Sequence, residues 1–260
     1  ILNLLFLGLV ASFLCFVLWT LVIAKIGAMT SSNYLYLNSI TTEAAKLTTS
    51  GEGSPVIYST GNIIVNNVNG IANNSEIGVV EGKNSITLTN SNVTGYKDNG
   101  FMLYQSFSGD AENGIARLKA ENNTLTTHAT GAFLYVNNTT AEVDLSNNTI
   151  SMPNTSTLVK AAADSRWGKT GENGGHLTLR TSNQELSGNI MADSISTIAL
   201  DMTNGSSLVG AVNTDNTAKE VTVKLSKDSN WILTGDSYVK SLNNEDTTGS
   251  NIHSNGYKLV

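Results

Sequence analysis

Short apolar groups separated by Asn and Gly clusters recur at a nearly constant interval along most of this 260-residue chain. Tyr58-Ser59-Thr60-Gly61-Asn62-Ile63-Ile64-Val65 lies over Glu81-Gly82-Lys83-Asn84-Ser85-Ile86-Thr87-Leu88 at an offset of 23. Ile57-Tyr58, Val80-Glu81 and Leu103-Tyr104 keep that spacing, and so do Val65 and Leu88. Further on, two columns stretch together. Tyr104 to Tyr135 is 31 and Leu88 to Ala120 is 32, then Tyr135 to Lys160 and Ala120 to Leu145 are both 25. Insertions therefore lengthen loops without breaking the repeat. Leu186, Leu208 and Trp231 follow at 22 and 23. Self-similarity at this period marks a solenoid, in which each unit buries its apolar face only against its neighbours.

The units read as strands. Ile63-Ile64-Val65, Ile86-Thr87-Leu88, Val143-Asp144-Leu145, Leu177-Thr178-Leu179, Ile198-Ala199-Leu200 and Val221-Thr222-Val223-Lys224-Leu225 are short, rich in β-branched residues and apolar on one face, which suits half-buried β-strands. Leucine-rich repeats share the period, but they want leucines at fixed spacing and usually a helical segment in each unit. The expected fold is all-β, a right-handed parallel β-helix of about nine or ten coils with about 23 residues in each. Asn67, Asn90, Asn122 and Asn147 recur at 23, 32 and 25. They predict a ladder of stacked amides at the strand spacing of about 4.8 Å, at a turn whose left-handed backbone Asn also tolerates. Thr30 to Ser54, with a short helix over Thr42 to Leu47, is expected to cap one end, and a C-terminal cap is expected beyond Leu259-Val260.

Charge narrows the partners. Only 14% of residues are charged, the net charge is −6 and there are three Arg, so no basic stripe exists to neutralise a phosphate backbone and nucleic acid is not an expected partner. The 40% hydrophobic content sets the chain apart from a disordered tail. Ile1 to Ala24 is interrupted only by Asn3, Ser12 and Thr20, and about 20 apolar residues in helix cross a bilayer. Residues 1–28 are therefore expected to be a transmembrane anchor or a signal segment, 29–54 a linker and cap, and 55–260 the β-helix. The anchor is preferred, because a signal peptide has a basic start and an apolar core of about 7 to 15 residues. Cys15, the single cysteine, lies in the apolar run, which leaves packing and hydrogen-bond ladders to hold the β-helix without disulfides. The expected location is extracellular or at the cell surface.

These coils resemble those of the pectate-lyase-like right-handed β-helix superfamily. Gly205-Ser206-Ser207-Leu208-Val209-Gly210-Ala211-Val212 and Ser229-Asn230-Trp231-Ile232-Leu233-Thr234-Gly235-Asp236-Ser237 are similar to repeats of bacterial surface adhesins and autotransporter passengers. The resemblance covers residues 55–260. It implies an adhesin or carbohydrate-binding structural module whose partner is a polysaccharide or cell-surface glycan, with a polysaccharide lyase or glycoside hydrolase as the alternative, since such folds host all of these.

Candidate site residues follow from the repeat. Tyr58, Glu81, Tyr104, Tyr135 and Lys160 are expected in one outward column beside the inward Ile57, Val80, Leu103, Leu134 and Val159. Tyrosine has an apolar body and a polar tip suited to sugar rings. The two longest insertions follow that column. Gln105 to Ile115 carries Asp110 and Glu112, and Ala161 to Gly175 carries Asp164, Arg166 and Trp167. Insertions on one side of a solenoid commonly build its binding surface. No catalytic residue, resident metal or cofactor is assigned. A polyuronate lyase would cast Asp110, Glu112 and Asp164 as calcium ligands and Arg166 as the base. His128, His176 and His253 have no metal-ligand spacing and are expected in solvent-facing loops. An ice-binding solenoid would need regular outward Thr-x-Thr rows, and Thr87-Leu88-Thr89 and Thr124-Leu125-Thr126 are too scattered.

Overall fold

Alternation of apolar and polar residues decides which side of each short strand turns inward, and stacking then aligns the apolar positions. The computed structural model describes residues 39–107 and 111–260. The membrane-competent run Ile1 to Ala24, the start of the expected linker and Asp110 lie outside them. Every strand pairing is parallel, with the partner one coil away, so the chain winds as a right-handed parallel β-helix.

Nine strands form the first sheet: Ser39–Glu43, Asn62–Asn66, Ser85–Thr89, Ile115–Glu121, Thr139–Ser146, Gly175–Ser182, Thr197–Thr203, Glu220–Leu225 and Ser241–Asn244. One of its inward columns reads Ile63, Ile86, Leu118, Val143, Leu179, Leu200 and Val223, all buried. Each such side chain stabilises the fold by roughly 1.5–3 kcal/mol relative to exposure. The intervals 23, 32 and 25 expected for Val65, Leu88, Ala120 and Leu145 are the observed register.

A second sheet holds Lys46–Thr49, Asn69–Ala72, Asn92–Gly95, Thr124–Thr127 and Thr149–Ser151. A fourth holds Glu185–Ser187, Ser207–Val209, Asn230–Ile232 and Ile252–His253, with Leu186, Leu208 and Trp231 in one column as their spacing predicts. The third sheet, which carries the candidate site, holds Ile57–Ser59, Gly78–Glu81, Phe101–Tyr104, Ala132–Asn137, Thr157–Ala161 and Ile190–Ala192.

The turn leaving the first sheet repeats with a left-handed residue, Ala44 at φ 52° and then Asn67, Asn90, Asn122, Asn147, Asn183 and Asn204 at φ between 49° and 59°, the last followed by a left-handed Gly205. Successive backbones hydrogen-bond up this column, with Asn122 N donating to Ser146 O and Asn147 N to Asn183 O. Asn147 Nδ2 donates to Asn122 Oδ1 at 2.7 Å, and Asn183 Nδ2 to Asn147 Oδ1 at 3.3 Å. The four expected asparagines do share one turn column, but their amides join only between Asn122 and Asn147, with Asn183 extending the row, while Asn90 Nδ2 donates instead to Asn66 Oδ1. A second ladder lies inside the coil, one residue further on at Ser91, Asn123, Asn148 and Gln184 and two further on at Ser206, all buried. Ser91 N donates to Asn123 Oδ1, Asn123 N to Asn148 Oδ1, and Asn148 N to Gln184 Oε1, at 2.9–3.1 Å. Each side chain replaces the strand pairing that its turn interrupts, so the N–H groups of Ser91, Asn123 and Asn148 keep acceptors.

Two expectations are corrected here. Thr42 to Leu47 is not helical: Ser39–Glu43 and Lys46–Thr49 are strands joined at Ala44, which has φ 52°. Ala45 and Leu47 pack against the core cluster, and strand pairing with the next coil outweighs the helix propensity of Glu-Ala-Ala-Lys. His176 and His253 sit on strands rather than in loops. His176 is half-buried with Nδ1 3.1 Å from Thr197 Oγ1, and burial, then Lys219, lowers its pKa. His128 lies in a turn, stacked on Tyr96 of the preceding coil at 4.5 Å.

Candidate functional site on the third sheet

Tyr58, Glu81, Tyr104, Tyr135 and Lys160 do lie on the outward side of the third sheet, opposite the buried Ile57, Val80, Leu103, Leu134 and Val159. They do not share one column. Tyr58 pairs with Val79, Val79 with Met102, Met102 with Tyr135 and Tyr135 with Lys160. Glu81, Tyr104 and Asn137 form the next outward column, two residues on. Seven residues separate the second and third sheets in the first coil but five in the next, and one more residue in the third-sheet strand with one more in the turn after it restore the period. The first sheet therefore keeps its interval of 23 while the third steps by 21 from Ile57 to Gly78. Because the shift is even, side chains keep their face while changing neighbours.

The larger correction concerns exposure. Gly78–Glu81, Phe101–Tyr104 and Ala132–Asn137 are buried on both sides, because the two insertions fold back over the outer surface. Beneath them Val79, Met102, Tyr104, Ala132, Tyr135 and Ala162 form a second apolar cluster, against which Trp167 packs. Tyr104 and Tyr135 keep only 8% and 6% of their surface, whereas Tyr58 keeps 41%. Two glycines admit the cover. A side chain at Gly82, where φ is 63°, would meet Glu112 O at 2.6 Å, and one at Gly168, where φ is 75°, would collide with Asn138 Oδ1. Apolar length in the insertions supplies the drive: a loop carrying Trp167 gains more by covering Tyr104 than by standing in water.

A hydroxyl network runs through the floor. The Tyr58 hydroxyl donates to Glu81 Oε2, the Ser106 hydroxyl donates to Glu81 Oε1, and the hydroxyls of Tyr58 and Tyr104 are 2.8 Å apart. Glu81 is 4% exposed, and such hydroxyl donors are what a buried carboxylate requires. Burial, then the bond to Glu81, raises the Tyr58 pKa, and burial pushes Tyr104 and Tyr135 up to about 12. All three phenols are neutral donors at physiological pH.

The insertion of Ala161 to Gly175 is organised around Asp164. Its Oδ1 accepts from the backbone of Arg166 at 2.7 Å and of Trp167 at 3.3 Å, while Oδ2 accepts from the Arg166 guanidinium at 3.0 Å. Burial alone would raise its pKa, but these donors hold it below the usual carboxylate value. Asn173 Nδ2 clamps the carbonyls of Asp164 and Trp167 at 2.8 and 2.7 Å. Trp167 is thereby set 5.2 Å from Tyr104 and 6.1 Å from Phe107. Lys160 Nζ lies 5.6 Å from the Tyr135 ring centre. Glu112 turns away from the cluster and pairs with Lys83 at 3.0 Å.

The structure thus gathers Tyr58, Glu81, Tyr104, Tyr135, Lys160, Asp164, Arg166 and Trp167 around one lateral ridge, sets Glu112 at its margin and adds Phe107, 68% exposed, which the sequence reading did not single out. Its signal was a lone aromatic in the first insertion. Among the described residues, no three Asp, Glu, His or Cys side chains converge as metal ligands. Set against protein-family models, curated proteins and solved structures, the chain has no significant match in any of them.

Proposed function

We propose that this protein is an extracytoplasmic, surface-displayed β-helix of adhesin type that binds an extended glycan along this ridge without cleaving it. The observation that carries the reading is the placement of Trp167. The Asp164-centred loop holds its ring beside Phe107 and over Tyr104, and Tyr104 is hydrogen-bonded to the exposed Tyr58. Aromatic surface and polar tips on neighbouring coils, with the exposed Lys160 and Arg166 beside them, suit stacking on sugar rings and hydrogen bonding to their hydroxyls. Binding is favoured over cleavage because the candidate carboxylates among the described residues are engaged: Glu81 by Tyr58 and Ser106, Asp164 by Arg166, Glu112 by Lys83.

The test is a glycan array followed by retention on the matrix it selects. Replacing Tyr58, Phe107 and Trp167 together by Ala is expected to abolish retention while circular dichroism stays that of a β-protein. Unchanged retention would remove the ridge as the binding surface, and release of reducing or unsaturated sugar ends by the parent would make the protein an enzyme.

A further inference from the structure

A different surface of the β-helix carries a site of another character. Along the corner between the first and second sheets runs an open groove of about 520 Å³, lined mainly by Asn67, Asn69, Asn90, Asn92, Asn122 and Thr124. Lys46 is the single charged residue on its walls. The polar groups come in two columns. Asn67, Asn90 and Asn122 occupy the repeated left-handed turn, and Asn69, Asn92 and Thr124 are register partners at the start of the second-sheet strands. Donors and acceptors therefore repeat along the axis at about 4.8 Å, the spacing of neighbouring strands.

These groups are also available. Among the described residues, the side-chain amides of Asn67, Asn69 and Asn92 and the hydroxyl of Thr124 make no intramolecular hydrogen bond. Asn90 gives Nδ2 to Asn66 Oδ1, and Asn122 Oδ1 accepts from Asn147, which leaves the other end of each amide open. Turn geometry explains Asn67, Asn90 and Asn122, since the left-handed position favours Asn or Gly. It does not explain Asn69 and Asn92, which are exposed strand positions where Asn is a poor β-former.

We infer that this groove binds a neutral, extended polysaccharide lying along the axis of the β-helix. Carboxamides and hydroxyls both donate and accept, as sugar hydroxyls do. The near absence of charge fits neither a polyuronate nor a phosphate backbone, and the coil spacing is close to the advance per sugar of an extended β-1,4-linked chain. The inference is independent of the lateral ridge, with which the groove shares no residue.

Titration calorimetry of the full chain with cellohexaose tests it, with hexagalacturonate as the charged counterpart. The parent is expected to bind cellohexaose in preference to hexagalacturonate. Asn69→Ala with Asn92→Ala is expected to weaken that binding by about tenfold or more, with an unchanged melting temperature because both positions are exposed strand sites. Three outcomes overturn the groove: no binding of cellohexaose by the parent, equal affinity in the double variant, or the same loss on replacing Phe107 and Trp167, which would move the sugar to the ridge. Loss of ridge retention in the Tyr58, Phe107 and Trp167 variant leaves the groove reading intact, so the two fail separately.

Discussion

Two asparagines that adjoin in the chain have opposite duties. Asn122 is exposed at φ 59° and Asn123 is 3% exposed, accepting from Ser91 N and donating to Leu88 O and Asn148 Oδ1. Asn123→Ala should cost about 2–4 kcal/mol, since it leaves buried backbone groups without partners. Asn122→Gly, which keeps the left-handed turn, should stay within about 0.5 kcal/mol. Chemical denaturation of both variants measures the contrast. Glu76 offers a second residue-scale test. It is 6% exposed beside Ser75 and faces Asp98 and Asn99, and burial raises its pKa. The folded state thus holds the proton to higher pH than the unfolded chain does. Its contribution is fully present below the ordinary carboxyl range and is lost as pH rises through the folded pKa. Glu76→Gln should therefore melt higher than the parent at pH 7, with the gain vanishing below about pH 4; calorimetry across that range decides it.

Among the elements, the insertions matter most, because they turn an outward sheet face into a second core. Tyr104 and Tyr135 are buried in the cluster against which Trp167 packs, so replacing either by Ala should cost about 3–5 kcal/mol, as for other buried aromatics. Tyr58→Ala should cost far less, because Tyr58 is 41% exposed. Replacing residues 163–172 by a short Asn-Gly turn should uncover the cluster and raise binding of the dye ANS, with a lower unfolding midpoint. An unchanged midpoint and no dye binding would mean that the loop is ornament rather than cover.

Taken as a whole, the β-helix depends on nearest-neighbour stacking. Trp231 fills the last coils, fully buried, with Nε1 donating to Gly210 O at 3.0 Å. The chain divides into residues 1–36 and 37–260, and the single cysteine, Cys15, falls in the first part. Residues 37–260 expressed alone should therefore unfold in one cooperative transition that reducing agent does not move. Loss of that transition on removing residues 1–36 would show that the apolar run belongs to the fold.

Periodicity was legible because it is local arithmetic. Inward columns such as Ile63, Ile86 and Leu118, and the left-handed asparagines, are dictated by alternation and by the few residues that tolerate positive φ, and both repeat in the chain itself. The inner ladder of Ser91, Asn123, Asn148 and Gln184 was hidden, because its members differ in type and only their shared turn unites them. Register on the third sheet was hidden as well. A turn two residues shorter, offset by a strand and a following turn each one residue longer, leaves the period unchanged while moving Glu81 and Tyr104 to another column. Whether a tyrosine faces solvent was decided by tertiary structure alone: the repeat assigns its face, but only the folding back of a distant loop, driven by the area that Trp167 buries, determines whether that face meets water.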